Sequence, residues 1–217
     1  MQTSYVSVAD IQAMDKRYRA AFVNSLSGFK SANLVGSQNL EGVHNLAIVS
    51  SVVHLGSDPA LLGMVVRPPV VPRHSYENIL ATGSYTLNHV NDSIYEQGHQ
   101  TAARYPEEVS EFEAVGLTPI YSATHQAPYV AEAHVRIGLQ LAQTMPIELN
   151  GTVLVIGRIT EVFYPEAAQA ADGYLDIQKA GTIALSGTDA YHNTNKLTRL
   201  SYAKPNIALT QLEGFHD

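Results

Sequence analysis

The stretch from Val135 to Tyr164 limits the possible folds of this chain more than any other. Apolar and polar residues alternate from Val135 to Leu141, which is typical of a strand with one buried face. The Asn150-Gly151 pair that follows favours a tight hairpin turn, and Thr152 to Tyr164 is rich in β-branched residues. These features predict two strands that run antiparallel across a hairpin turn.

The remaining pattern also predicts more strands than helices. Further strands are predicted over 33–37, 45–55, 61–67, 85–90 and 183–186, and short helices over 11–22, 75–81, 96–105 and 110–116. Ser75 is the predicted N-cap of the second helix, and Gly83 its end. Because helices and strands do not alternate as βαβ units, we expect a mainly β fold, an antiparallel barrel with peripheral helices, formed by one domain over residues 1–217.

Composition excludes several classes of protein. The 217 residues, 45% hydrophobic and 15% charged, suit a folded chain with a real core. A net charge of −7 argues against a general nucleic-acid surface, and the absence of cysteine excludes disulfides and thiolate metal sites. Neither a signal peptide nor a run of eighteen apolar residues is found, so we expect a soluble, cytoplasmic protein that does not enter membranes.

Common catalytic motifs are missing. The sequence has no G-x-G-x-x-G, Walker or G-x-S-x-G motif, and its two Ser-x-x-Lys matches lack their usual companions. The nine histidines are scattered, without the H-x-H or H-E-x-x-H spacing of a metal site. We therefore predict no metal and identify no catalytic residue.

A candidate binding stretch extends from Gly42 to Ser75. Two apolar runs are separated by Gly-Ser-Asp-Pro, and Ser50 and Ser51 interrupt the first run, whereas Arg67 ends the second. Arg67 and a helix start at Ser75 could hold a phosphate, so the stretch suits a flat, anionic, partly apolar ligand. The residues alone leave open that these are ordinary strand and cap positions in a barrel without a ligand.

Several segments resemble the flavin reductase-like, FMN-binding split-barrel family. They are NLAIVSSVVHLGSDPALLGMVVRP, HSYENILATGSYTLNHV and GHQTAARYPEEVSEFEAVGLTP, followed by APYVAEAHVRI, NGTVLVIGRITEV and SGTDAYHNTNKLTRLSYAKP. The resemblance implies an antiparallel six-stranded split β-barrel that binds FMN near a homodimer interface.

The resemblance also implies roles for individual residues. Asn45, Ser50, Ser51 and Val52 would contact the flavin ring and ribityl chain. Arg67 and Ser75 would contact the phosphate.

The implied activity is transfer of hydride from NADH or NADPH to FMN, with a monooxygenase or another acceptor taking the electrons. The alternative is a non-enzymatic FMN-binding electron carrier or flavin-storage protein. His54 and His99 are further candidates for polar contact near the ring.

Three positions depart from the family pattern. Pro59-Ala60 stands where relatives have paired prolines, Glu111-Phe112 where they often have a lysine before the phenylalanine, and Thr152 where many have a histidine. These positions bear on the groups that support the flavin contacts.

Overall fold

The structure, a computed structural model, describes residues 2–212. Its helices are α1 (Val8–Ala13), α2 (Lys16–Ser25), α3 (His74–Thr82), α4 (Tyr95–Gln100) and α5 (Glu111–Val115). Its strands are β1 (Lys30–Ser31), β2 (Asn33–Gln38), β3 (His44–Val49), β4 (Val52–Ser57), β5 (Ala60–Val66), β6 (Ser84–His89), β7 (Pro119–Ile120), β8 (Tyr129–Val130), β9 (Arg136–Ile147), β10 (Thr152–Phe163), β11 (Ala184–Ser186) and β12 (Ala190–His192).

Seven strands form the principal sheet, in the order β3-β2-β6-β9-β10-β5-β4, and every neighbouring pair is antiparallel. The chain leaves one edge strand, β3, and enters the other, β4, across Ser50 and Ser51 alone. The sheet must therefore curl until its two edges meet at this link. Within the described residues no ladder joins β3 to β4, which leaves the barrel split along that line.

The same link explains one error of the sequence interpretation. Residues 45–55 were expected to form one strand, but Ser50 and Ser51 divide them between two strands at opposite edges. With β3 and β4 as separate strands, the principal sheet has seven strands. The mainly β fold class is confirmed.

The predicted hairpin is confirmed and is the longest pair in the sheet. β9 and β10 pair from Arg136 with Phe163 to Ile147 with Thr152, and Gly151 in the turn has a φ of 73°. The register shifts at Ile156/Gly157 and Ile159/Glu161. Such bulges increase local twist, which helps a sheet to curl.

The helix predictions hold less well at their ends. The expected 11–22 helix is two helices, because Asp15 is the N-cap of the second one. The Asp15 carboxylate accepts the N–H of Arg17 at 2.8 Å. Gly83 ends α3 as predicted, with a φ of 68°. Ser75 is not the N-cap, however; Arg73 occupies that position and Ser75 lies inside the first turn.

Beside a small third cluster, two large hydrophobic clusters form the core. One lies among β3, α4 and α5 and includes Leu46, Ile94 and Phe112; the other includes Met64, Tyr85 and Leu139 from the principal sheet. Over residues 2–212, no helix is long and apolar enough to cross a membrane, and no three His, Asp or Glu side chains are grouped as metal ligands. The cytoplasmic location stays a prediction.

Gly36 is the position in β2 where the sheet tolerates no side chain. A Cβ there would overlap the carbonyl oxygen of Pro128 and the hydroxyl of Thr86. We predict that Gly36→Ala lowers the free energy of unfolding by about 2–4 kcal/mol, since a backbone atom cannot move aside as a side chain can.

Urea unfolding of purified variants measures this effect. Gly56→Ala is the matched control, because a Cβ at that strand position meets its nearest atom, the oxygen of Pro59, at an ordinary 3.4 Å. Equal stability of the two variants would contradict the prediction.

Candidate functional site

A cleft of about 810 Å³ opens along the split in the barrel. Its walls come from the end of β3, the Ser50-Ser51 link, the start of α3 and the segment 101–107 after α4. Leu185, Thr188 and Tyr191 add a wall from the chain beyond the barrel. The cleft is therefore assembled from regions that lie far apart in the sequence.

The floor of the cleft is apolar. It is lined by one side chain of β2, two of β3 and two of β5: Val35, Ala47, Val49, Met64 and Val66. Such a floor suits a flat apolar ring, because ligand sites combine apolar walls with a few placed polar groups.

The free edge of β3 is closed by side chains instead of a strand. The Leu46 N–H donates to the Glu111 carboxylate at 3.0 Å, and the Ile48 N–H donates to the Thr101 hydroxyl at 2.9 Å. These N–H groups alternate along β3 with those that face β2, so they point outward. Thr101, the C-cap residue of α4, in turn donates to the Gly98 carbonyl at 2.7 Å. Residues 101–105, which were predicted to be helical, lie beyond the end of α4.

Glu111 also holds a polar chain at the cleft wall. Its carboxylate accepts from the Asn45 amide nitrogen at 2.7 Å, and the Asn45 amide oxygen accepts from the Ser75 hydroxyl at 2.5 Å. Glu111 is only 5% exposed and Asn45 8%. Burial raises the pKa of Glu111, although bonds from Leu46 and Asn45 and the charge of His74 oppose the shift.

The start of α3 forms a cationic corner. Three arginines line the cleft, Arg67, Arg73 and Arg104, and Arg73 lies directly before this helix. Two carboxylates, those of Glu107 and Glu111, line the same cleft. Arg73 is the N-cap residue and offers no side-chain acceptor to the N–H groups of the first turn. Its own Nε is buried without a hydrogen-bond partner among the described residues. Free N–H groups at a helix start, together with arginine, favour an anion.

Aromatic side chains lie at the wall that the chain beyond the barrel contributes. The Tyr191 hydroxyl lies 3.0 Å from Nδ1 of His99, and the Tyr191 ring stands 5.5 Å from that of Tyr95. Burial raises the pKa of Tyr191, with a smaller contribution from Asp189, so this phenol stays protonated near neutral pH. Of the two histidines noted in the sequence, His99 lines the cleft, whereas His54 is exposed on β4 outside it.

The structure brings most of the predicted site residues together. Asn45, Ser50, Ser51, Arg67 and Ser75 all line the cleft. The Ser51 hydroxyl donates to the Val65 carbonyl at 2.8 Å, which anchors the link between the sheet edges to β5.

Two other positions lie apart from the cleft. The Val52 side chain packs on the hydrophobic core, so any contact to a ligand would come from its backbone. Thr152 caps the β9–β10 turn through Asn150. The flavin-contact roles of the site residues stay predictions.

Sequence reasoning missed several cleft residues. Arg73 stands two residues before Ser75, and its position before a helix start could have identified it. Glu111 was noted only as a departure from the family pattern. Thr101 and Tyr191 carry no local signal, because the sheet edge and the cleft wall to which they belong exist only in the folded chain.

Comparison with known proteins agrees with this geometry. The model of the flavin reductase like domain matches residues 30–184. An uncharacterised protein of Aquifex aeolicus (strain VF5) is 30% identical over 115 residues, which are 52% of this chain and 59% of that protein. That match thus spans less than two thirds of the relative's length.

Solved structures share the whole architecture. A candidate flavin reductase with a split barrel domain from Shewanella frigidimarina NCIMB 400 superimposes with a TM-score of 0.90 at 51% identity, over 93% of this chain and 100% of that one. Nitrilotriacetate monooxygenase component B from Bacillus cereus gives 0.81 at 22% identity, over 92% and 100%. The first confirms the expected split barrel; the second shows a common fold alone.

The buried carboxylate of Glu111 should make the free energy of unfolding depend on pH. Its folded-state pKa is raised, so the stability it contributes is complete below its ordinary value of 4.5 and is lost as the pH rises through the raised pKa. We predict that the free energy of unfolding of the wild type falls relative to that of Glu111→Gln as the pH rises from 4 to 8.

Urea unfolding at several pH values gives this difference directly. Glu113→Gln is the control, because Glu113 is exposed on the same helix and should show no such trend. A wild type that gains stability over Glu111→Gln with rising pH would contradict the prediction.

Proposed function

Because the chain belongs to the flavin reductase like domain family, we propose that it binds FMN in the cleft and works as an NADH- or NADPH-dependent flavin oxidoreductase. The observation that carries the proposal is one cleft that combines an apolar floor with a cationic corner at a helix start. A flavin mononucleotide needs both, since it joins an apolar tricyclic ring to a phosphate.

The cationic corner fits the phosphate. The buried, unpartnered Nε of Arg73 needs an acceptor, and Arg67 adds a second guanidinium at the end of β5. The first-turn N–H groups of α3 supply further donors. These groups would hold the phosphate end of the cofactor.

The apolar floor fits the ring. Val35, Ala47 and Val49 offer a continuous surface on two neighbouring strands, and Ser50 lies at its rim. Within residues 2–212 the Ser50 side chain has no hydrogen-bond partner, so it is available to a polar ring edge.

Hydride transfer needs few special side chains from the protein. A bound flavin supplies the redox chemistry by accepting a hydride from a nicotinamide and passing two electrons onward. The chain's contribution is to bind and orient the flavin, and the seven-stranded sheet under the cleft suits that task. The lack of a catalytic triad motif is in keeping with such a role.

We also propose a homodimer and an electron acceptor such as a monooxygenase. Large apolar side chains are exposed on α2, at its C-cap and in the segment after β12, with Tyr18 64%, Leu26 64% and Leu197 97% exposed. A second chain packed on these side chains would remove them from water. The monooxygenase proposal is supported by the name of the Bacillus cereus protein, a monooxygenase component.

Removing an arginine should weaken binding of the phosphate specifically. We predict that Arg73→Ala lowers the affinity for FMN by about ten- to a hundredfold, the value of a charge-assisted hydrogen bond, and leaves riboflavin affinity nearly unchanged. Arg67→Ala should act in the same direction but less strongly, because Arg67 is exposed to solvent.

Quenching of flavin fluorescence measures both affinities. Arg158→Ala is the matched control, since Arg158 is exposed on β10 and does not line the cleft. Equal losses for FMN and riboflavin in Arg73→Ala would remove this arginine from the phosphate site.

Anaerobic mixing with a nicotinamide tests the reaction itself. We expect NADH or NADPH to bleach the visible absorption band of the FMN-loaded protein, because hydride transfer reduces the flavin. A protein that retains FMN but is bleached by neither donor would instead be an electron carrier or a flavin store.

A further inference from the structure

The polar chain at the cleft wall has a fixed direction. It runs from Glu111 on α5 through Asn45 on β3 to Ser75 on α3, with bonds of 2.7 and 2.5 Å. The Glu111 oxygen that faces Asn45 also accepts the Leu46 N–H, so it is an acceptor, and the Asn45 group that faces it must be the NH₂. The Asn45 oxygen then faces Ser75, and Ser75 must donate its only hydroxyl hydrogen to it.

This direction decides what Ser75 offers to a ligand. Ser75 lines the cleft, and its hydroxyl hydrogen is committed to Asn45, so only oxygen lone pairs remain for a group in the cleft. A lone pair binds a donor such as a hydroxyl. A phosphate dianion, which only accepts, would have no hydrogen bond from this side chain.

The charge of Glu111 also opposes a phosphate at Ser75. Its carboxylate is buried behind Asn45 and takes part in neither of the two salt bridges of the described residues, although the charge of His74 acts on it. In a poorly solvated wall, that negative charge disfavours a second anion close by. The phosphate is therefore better placed at Arg73 than at the Ser75 hydroxyl.

We propose that Glu111 is a positioning residue that makes the Ser75 hydroxyl an acceptor, and that Ser75 holds a hydroxyl of a polyol chain rather than a phosphate. The inference rests on the proposed function, because the ribityl chain of FMN is the polyol in question. It gives Ser75 a different role from the phosphate contact that the family resemblance implies.

Three flavins separate these roles. FMN has ring, polyol and phosphate; riboflavin lacks the phosphate; lumiflavin lacks both polyol and phosphate. Fluorescence titrations at pH 8, where the FMN phosphate is a dianion, give dissociation constants for the wild type, Ser75→Ala, Glu111→Leu, Glu111→Gln and the double variant of Ser75→Ala with Glu111→Leu.

We expect Ser75→Ala to weaken FMN and riboflavin equally, about five- to tenfold, and to leave lumiflavin unchanged. Ser75→Thr, which keeps the hydroxyl, should restore riboflavin binding. Loss of affinity for FMN alone would show that Ser75 serves the phosphate and would overturn the inference.

Glu111→Leu and Glu111→Gln together test the positioning role. Glutamine keeps an oxygen that can accept from both Leu46 and Asn45, so Glu111→Gln should keep riboflavin affinity, whereas leucine removes the acceptor that sets the direction of the chain. In Glu111→Leu we expect a several-fold loss of riboflavin affinity and, in the double variant with Ser75→Ala, a total loss smaller than the product of the single losses. Independent, multiplicative losses would overturn the role of Glu111, and Glu113→Gln should bind all three flavins as the wild type does.

Failure of the proposed function would look different. A wild type that binds none of the three flavins overturns that function and this inference together. A wild type that binds FMN, with Ser75→Ala affecting FMN alone, overturns only the inference. Melting temperatures of the variants without flavin distinguish loss of binding from loss of folding.

Discussion

The outward N–H groups of Leu46 and Ile48 are the constraint on which the site depends. They belong to an edge strand of a curled sheet, where a closed barrel would place a further strand. An unpaired strand edge exposes donors that attract other chains. Here Glu111 and Thr101 accept these two donors, so side chains from α5 and from the end of α4 take the place of a backbone ladder.

Because side chains take the place of a strand at this edge, the stability of the barrel and the chemistry of the cleft depend on the same residues. A strand partner would fill the split, whereas two side chains satisfy the edge and leave about 810 Å³ of space beside it. Glu111 does both tasks, because the carboxylate that accepts from Leu46 also fixes Asn45. Burial of a carboxylate is unfavourable, as its raised pKa shows. A costly buried group at a cleft is characteristic of a functional site.

The electrostatics of the cleft differ from those of the whole chain. The net charge is −7, yet three arginines and two glutamates line the cleft. The fold sets Arg67 and Arg73 near a helix start whose N–H groups attract anions, while Glu111 supports the polar chain at the wall. Such a division lets one cleft accept a molecule that is anionic at one end and neutral along its middle.

The sequence by itself determined the mainly β class and the β9–β10 hairpin, because alternation and an Asn-Gly turn are local signals. It also predicted a binding stretch around Ser50 and Arg67, both of which line the cleft. The tertiary structure decided the rest. It divided residues 45–55 between two sheet edges, because the edge strands β3 and β4 come together only when the whole sheet curls. It brought Glu111 and Tyr191 to the cleft from distant segments, and it set the direction of the Ser75 bond, which depends on partners that only folding brings within reach.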